Sequence, residues 1–145
     1  AYRQGIDEHI PERVLRELYF PGFKACVEQG VKTLMTAYNK INGVWAHYHY
    51  DLVTEVLRKE WDFQGCIMTD WWMRMASDPN CPQIENNAYR VRAQVDILMP
   101  GGQSFEIKES DSSLIQSLNH PDGLTLKEAQ RSALNVLKLI QKIKG

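Results

Sequence analysis

One carboxylate in the chain, that of Asp70, lies in sequence surroundings that suit a catalytic residue. The stretch GCIMTDWW, residues 65–72, runs through three apolar side chains and Thr69 to Asp70, which Trp71 and Trp72 follow. A strand end can hold a carboxylate rigidly while its oxygens face a pocket, and aromatic neighbours exclude water and offer a flat apolar surface. A pyranose has one face of C–H groups, which suits that surface. A carboxylate beside it can act on an anomeric carbon with oxocarbenium-like charge.

Two structural roles for Asp70 stay open on the residue pattern alone. It could cap the N-terminus of a helix, or form a salt bridge at the end of a sheet. An apolar strand that ends in an aspartate is also typical of the Walker B motif of nucleotide-binding proteins. That assignment is excluded because the chain contains no GxxxxGK[ST] motif. Trp71 is the candidate for the site because it is nearest the acid, and its neighbour Trp72 is expected to belong to the core.

Tyr38 ends a second apolar segment and is the other candidate for this site. Its hydroxyl could donate to Asp70 or to a substrate. The alternative is a tyrosine that closes a layer of the core.

The histidines do not predict a metal site. His47 and His49 are two residues apart, and His9 and His120 are remote from them. A zinc site takes three or four ligands at characteristic spacings, often i and i+4 on a helix. We therefore predict neither a metal nor a cofactor.

The apolar pattern predicts helices that alternate with short strands. Strands are expected at about 31–38, 66–70 and 95–99, and NKING (39–43) is expected to be a loop. The first helix is expected from Pro11 to about Gln29, with a kink or a brief interruption at Pro21-Gly22 and an end at Gly30. Further helices are expected over 52–61 after an Asp51 cap, from about Ile84 to Ala93, from Leu114 to Leu118, and over 126–143 after a Thr125–Glu128 capping box.

This alternation favours an α/β fold with a parallel sheet covered by helices. Ligands of such sheets bind at the carboxyl ends of the strands. Those ends carry Tyr38-Asn39, Asp70-Trp71 and Met99-Pro100.

Composition and charge exclude several classes of protein. The 145 residues are 43% hydrophobic and 24% charged, which is typical of one globular domain. A net charge of −1 does not indicate a basic surface that would bind nucleic acid or an anionic membrane. No apolar run approaches the roughly 20 residues that span a bilayer. Cys26, Cys66 and Cys81 form no CxxC, so we expect reduced thiols and a cytoplasmic location. The chain begins without methionine and is expected to be a piece of a longer protein.

Four blocks of the sequence resemble consecutive blocks of glycoside hydrolase family 3. They fall in the order of that family, between Glu12 and Gly102, and read ERVLRELYFPGF, LMTAYNKING, LVTEVLRKEWDFQGCIMTDWW and VDILMPGG. The family contains β-glucosidases, β-xylosidases and β-N-acetylhexosaminidases. The resemblance implies that residues 1–145 are a single fragment of its catalytic (β/α)₈ barrel. The three predicted strands would be the sixth to eighth of that barrel.

The resemblance also implies roles for individual residues. Asp70 occupies the position of the nucleophile of a retaining mechanism, with Thr69 in place of the usual serine. Trp71 then lines the site of the leaving group or next sugar, Tyr38 lies close to the nucleophile, and Met35 is a further substrate-binding residue. His49 replaces the usual asparagine, and Gln94 replaces the glycine of an A-G-x-D block.

Much of a complete enzyme of this family is absent from the sequence. The early strands, the upstream Lys-His block and any candidate for the general acid/base are missing. General acid catalysis contributes about 10²–10⁴-fold, so the isolated chain is expected to be inactive or nearly so.

The expected partners are a carbohydrate substrate, the missing N-terminal half of the barrel, the C-terminal domain, and further copies of the chain through exposed sheet edges. The alternative function is a non-catalytic carbohydrate-binding or assembly module.

Overall fold

A computed structural model describes residues 3–77 and 82–144, so the prediction for Cys81 lies outside the described residues. In chain order the elements are β1 (Asp7–Glu8), α1 (Glu12–Val14), a first π-helical segment (Leu15–Tyr19), α2 (Phe20–Glu28), β2 (Thr33–Met35), β3 (Lys40–Ile41), β4 (Val44–Trp45), a 3₁₀ turn (Ala46–Tyr48), a second π-helical segment (Asp51–Glu60), β5 (Cys66–Met68), α3 (Asn86–Arg92), α4 (Ser113–Leu118) and α5 (Leu126–Lys144). The chain is therefore a mixed α/β fold. Within the described ranges, no helix combines the length and apolar composition needed to cross a membrane.

The central strands β2 and β5 pair in parallel, with Thr33 opposite Cys66 and Met35 opposite Met68. Both are shorter than the segments predicted at 31–38 and 66–70. The predicted third strand, 95–99, is reduced to one parallel bridge between Met68 and Ile97.

Side chains explain why the third strand is so short. The Asp96 carboxylate, not a backbone carbonyl, accepts the Ile67 N–H at 2.9 Å. At the other end of the segment, the Thr69 hydroxyl accepts the Met99 N–H at 2.8 Å. In the middle of the segment the backbone bonds as a parallel ladder would, since the Ile97 N–H donates to the Ile67 carbonyl at 3.0 Å and the Thr69 N–H donates to the Ile97 carbonyl at 2.9 Å. The Asp96 N–H also donates to the Ile67 carbonyl, at 2.8 Å.

The predicted loop NKING instead contains strand β3 and the turn of a β-hairpin. Strands β3 and β4 pair antiparallel, and β1 pairs in parallel with β3. Asn42 and Gly43 link the hairpin with φ values of 52° and 86°, the left-handed backbone of a type I′ turn. The dipeptide Asn-Gly between apolar segments is the strongest short sequence signal for a hairpin, so the β3–β4 hairpin could have been predicted from the sequence.

The N-terminal helical region is confirmed, and Pro21 does not interrupt it. The helix widens into its first π-helical segment just before the proline, with the Phe20 N–H donating to the Leu15 carbonyl. The wider turn accommodates Pro21, which has no N–H to donate. Gly30 ends the helix as predicted, at φ 79°, and the Val31 N–H bonds to the Cys26 carbonyl at 3.1 Å.

The predicted Asp51 cap is wrong. Asp51 lies within the second π-helical segment, because Tyr50 before it already has helical φ and ψ of −56° and −46°. The first turn of this segment approaches His49 instead, whose Nδ1 lies 3.5 Å from the Leu52 N–H.

A buried ion pair fixes the start of β5. Arg58 and Asp96 are 2.6 Å apart, and their side chains are 8% and 0% exposed. The same guanidinium donates to the carbonyls of Phe63 and Gly65, at 3.0 and 2.6 Å. It thereby joins the second π-helical segment to the turn that leads into the strand.

Two apolar clusters form the core. One contains Val53, Phe63, Ile67 and Val95, and the other contains Ile84, Ala88, Val91 and Leu124. The second lies where α3, α4 and α5 meet, and Arg92 pairs with Glu128 there at 2.8 Å.

The predicted capping box is confirmed, since the Thr125 hydroxyl accepts the Glu128 N–H at 3.2 Å and the Glu128 carboxylate accepts the Thr125 N–H at 2.7 Å.

Candidate active site

Asp70 lies two residues beyond β5, at the carboxyl end of the parallel pair, and is partly buried. Its Oδ1 accepts the backbone N–H of Trp71 at 2.8 Å. This bond orients the carboxylate through the backbone of its own loop. A carboxylate anchored through one oxygen retains a second oxygen for another contact.

Tyr38 lies beside Asp70, because the two strands that precede these residues pair in register. The Tyr38 hydroxyl interacts with the Asp70 carboxylate. Burial raises the pKa of Tyr38, and the negative charge of Asp70 raises it further, since both favour the neutral phenol. The guanidinium of Arg3 lies 5.0 Å from the centre of the Tyr38 ring and opposes this shift. A neutral phenol beside a carboxylate is a hydrogen-bond donor throughout the neutral pH range.

The two tryptophans follow Asp70 on an accessible loop. Trp71 is partly buried, whereas the side chain of Trp72 is 45% exposed, so the expectation that Trp72 belongs to the core is wrong. Trp72 has a φ of 51°, and this left-handed backbone turns the loop outward. Its N–H bonds to the Met99 carbonyl at 3.3 Å.

Met35 lies on β2 with its side chain 54% exposed. With Tyr19 and Phe23 it lines an apolar groove of about 230 Å³ between β2 and the N-terminal helix. Tyr38 and Asp70 are not among the described residues that line this groove. The structure thus brings Tyr38, Asp70 and Trp71 together and places Met35 in a separate groove, where its predicted contact with substrate stays a prediction.

Thr69 is 1% exposed and joins β5 to the third segment through both its N–H and its hydroxyl. The hydroxyl that a serine would also supply is therefore used as an acceptor for the Met99 N–H. This contact explains why threonine can replace serine here without losing a bond.

Sequence reasoning missed a second group of polar residues, which are buried next to these loops. Arg90 and His47 are 1% and 0% exposed, and the Arg90 Nε donates to His47 Nδ1 at 3.0 Å. Burial lowers the pKa of Arg90 to about 10. Burial, and then the charge of Arg90, lower the pKa of His47 well below its ordinary value. Arginine and histidine are usually exposed, so their burial could not be read from the residue pattern.

The arrangement around Asp70 suits nucleophilic attack on a carbon that gains positive charge. The carboxylate is anchored by an amide, a neutral phenol lies beside it, and an indole follows it. Within residues 3–77 and 82–144, the Trp71 N–H donates to Asp70 and the Tyr38 phenol lies beside it, and neither residue supplies a second carboxyl. A retaining glycosidase needs two carboxyl groups about 5–5.5 Å apart. The second must come from outside this cluster.

Comparison with known proteins identifies relatives of the whole chain. The sequence model described as "Glycosyl hydrolase family 3 N terminal domain" matches residues 4–138. A β-glucosidase of Ruminococcus albus is 40% identical over 140 residues, which cover 95% of this chain and 14% of the relative. An exo-α-(1→6)-L-arabinopyranosidase of Bifidobacterium breve is 46% identical over 70 residues, which cover 48% of this chain and 9% of the relative.

Among solved structures, β-glucosidase 3B of Thermotoga neapolitana in complex with glycerol has a TM-score of 0.79 and 29% identity. The match covers 96% of this chain and 18% of that one. The chain therefore spans less than a fifth of the proteins that it resembles.

Proposed function

The chain belongs to glycosyl hydrolase family 3, and we propose that it is the nucleophile-bearing part of a retaining β-glycosidase of the β-glucosidase type, which hydrolyses terminal β-linked sugars. The observation that carries this proposal is the cluster at the end of β2 and β5, where the Tyr38 hydroxyl and the Trp71 N–H both contact the Asp70 carboxylate. In it, Asp70 is the catalytic residue, and Tyr38, Trp71 and Met35 bind the substrate. No metal or cofactor takes part.

The proposed chemistry has two steps. In the first, Asp70 attacks the anomeric carbon, the glycosidic bond breaks, and a general acid outside this chain protonates the leaving oxygen. In the second, the same outside residue, now a base, takes a proton from water, which attacks the anomeric carbon and releases the Asp70 carboxylate. The Trp71 N–H, by holding one carboxylate oxygen, leaves the other free to form the ester. The neutral Tyr38 phenol donates to the carboxylate, and the Trp71 ring provides an apolar surface for the sugar.

In the same proposal, residues 1–145 form one fragment of a (β/α)₈ barrel. The parallel pairing of β2 and β5, the parallel bridge at Ile97 and the helices between them support this assignment. A complete barrel takes about 250 residues, so the fragment lacks the N-terminal half of the barrel, and the C-terminal domain would supply the general acid. The isolated chain is then inactive. A cytoplasmic location belongs to the proposal and is supported by the free thiols of Cys26 and Cys66.

A chimera tests the proposal. The segment of the Ruminococcus albus β-glucosidase that matches this chain is replaced by residues 1–145, and hydrolysis of an aryl β-glucoside is measured. We expect the chimera to hydrolyse the glucoside and the Asp70→Asn variant to fall to background. The control is Asp62→Asn, which changes an exposed aspartate and should leave the rate unchanged. An Asp70→Asn chimera as active as its Asp62→Asn counterpart would overturn the assignment of the nucleophile.

A further inference from the structure

Arg90 is buried without a carboxylate at hydrogen-bonding distance among its described partners. Its Nε donates to His47 Nδ1 at 3.0 Å, its Nη1 donates to Asn87 Oδ1 at 2.6 Å, and its Nη2 donates to the Arg74 carbonyl. All three acceptors are neutral. Burying a guanidinium is costly unless each donor is satisfied, so a fully buried arginine with neutral partners needs an explanation.

Two of the three acceptors belong to the segments that follow Tyr38 and Asp70, and the third belongs to the helix of Arg90 itself. His47 lies in the 3₁₀ turn after the β3–β4 hairpin, Arg74 lies four residues after Asp70, and Asn87 belongs to α3. Asn87 extends the connection, because its Nδ2 donates to the carbonyl of Gly102 at 2.8 Å. Arg90 and Asn87 thus join the segments that follow β2, β5 and the bridge at Ile97.

The connection to Tyr38 runs through the backbone. The turn that contains His47 begins at Ala46, whose N–H donates to the carbonyl of Asn39 at 3.0 Å. Asn39 is the residue after Tyr38. On the other side, Arg74 and Asp70 belong to the same short loop after β5. The Arg90 guanidinium therefore links the turn that follows Tyr38 to the loop that follows Asp70.

We propose that Arg90 is a positioning residue, which with Asn87 fixes the loop after Asp70 and the turn after Tyr38 at the spacing that the nucleophile requires. This inference rests on the proposed function and deepens it. Arginine donates to these acceptors from three different nitrogens of a rigid planar fork, whereas lysine would have to serve them from a single nitrogen. His47 completes the arrangement as a neutral ring, because its Nδ1 is the acceptor, and its buried Nε2 has no partner among the described residues.

The test compares Arg90→Lys with Arg92→Lys in the 145-residue chain. Both arginines lie on α3, but among the described residues the hydrogen bonds of Arg92 go to Glu128 and the Gly123 carbonyl, and none goes to His47 or Arg74. The first readout is hydrogen exchange of the amides of residues 71–74. Loss of one or two hydrogen bonds should speed their exchange about tenfold in Arg90→Lys, while Arg92→Lys leaves it unchanged.

The second readout is the titration of Tyr38, followed by NMR of ring-labelled tyrosine with Tyr38→Phe to assign the signal. We expect Arg90→Lys to bring the Tyr38 midpoint closer to that of a free tyrosine, because the phenol moves away from Asp70, and Arg92→Lys to leave it in place. If Arg90→Lys does not fold, His47→Gln provides the same test, since it removes the Nδ1 acceptor and keeps Arg90.

A folded Arg90→Lys chain with unchanged exchange at residues 71–74 and an unchanged Tyr38 midpoint would overturn the inference. Neither readout depends on hydrolysis. If the glycosidase assignment failed, amide exchange and the Tyr38 midpoint would still respond to Arg90→Lys. Failure of the proposed function is therefore distinguishable from failure of the positioning role of Arg90.

Discussion

The contact between Tyr38 and Asp70 is the smallest unit of the proposed site. The Tyr38 phenol lies beside a carboxylate whose Oδ1 accepts the Trp71 N–H, so residues that follow β2 and β5 together set the surroundings of Asp70. Both contacts involve residues that the sequence already marked as candidates. Their meeting was predictable, because the carboxyl ends of paired parallel strands lie at one edge of a sheet.

Tyr38→Phe should slow the chimera without unfolding it. A hydrogen bond to a charged group contributes about 1.5–3 kcal/mol, which corresponds to a loss of about ten- to hundredfold in kcat/KM. The measurement is steady-state hydrolysis of an aryl β-glucoside, with Tyr50→Phe as the control for an exposed tyrosine. Equal rates for the two variants would mean that the phenol has no part in the reaction.

The buried histidines predict a loss of stability in acid. Burial lowers the pKa of His47 and of His49 below the ordinary 6.5, so the folded state binds fewer protons than the unfolded state below that pH. Stability is therefore complete above about pH 6.5 and declines as the pH falls toward the folded pKa values. The urea midpoint should fall between pH 7 and pH 5.

His49→Asn isolates one part of this dependence. Asparagine retains an acceptor for the Leu52 N–H but does not titrate, so the midpoint should depend less on pH in this variant. His120→Asn, at an exposed histidine, is the control. An unchanged pH dependence in His49→Asn would show that His49 does not contribute.

At the scale of elements, two helices end in the same motif with different residues. In each, the first residue beyond the cap has positive φ and the following N–H bonds back to a carbonyl five residues earlier. Gly30 occupies this position after α2, at φ 79°, and Gln94 occupies it after α3, at φ 71°. A side chain in left-handed backbone is strained, so Gln94 departs from the preference of the motif.

Gln94→Gly should stabilise the chain, and Gly30→Ala should destabilise it, each by about 1 kcal/mol. The two substitutions are matched, since they make opposite changes at equivalent positions. Urea unfolding of both variants measures the free energies. A destabilised Gln94→Gly would mean that the glutamine side chain contributes more than its backbone strain removes.

The helices were more predictable than the strands for a physical reason. Helix α5 carries its own signals, an apolar period and a capping box, in contiguous sequence. The strands depend on partners elsewhere, and Asp96 and Thr69 replace backbone partners at the ends of the third segment. The burial of Arg90 is likewise set by His47 and Arg74, which are distant in sequence, and no local pattern indicates it.

At the scale of the whole molecule, apolar surface and an unpaired strand edge coincide. In the described part of the chain, β2 pairs on one edge with β5, and its other edge has no strand beside it. The groove next to that edge is apolar, and Phe23 and Met35 are 56% and 54% exposed there. Such an edge is a template for pairing with another chain.

We therefore expect the isolated chain to self-associate through β2. Sedimentation velocity should give species larger than a monomer, and Met35→Lys should shift the distribution toward the monomer because it places a charge beside the edge. Lys127→Met, on the exposed side of α5, is the control for a changed charge elsewhere. A monodisperse monomer of the unmodified chain would contradict this prediction.

The most direct test of the central claim is covalent trapping. A 2-deoxy-2-fluoro glucoside with a good leaving group requires little help from a general acid and accumulates the glycosyl-enzyme ester. It is incubated with the chimera, with its Asp70→Ala variant and with the isolated chain, and the products are analysed by intact mass and peptide mapping. We predict one adduct on Asp70 in the chimera, none in Asp70→Ala and none on the isolated chain. An adduct that maps to another carboxylate, or that persists in Asp70→Ala, would contradict this prediction.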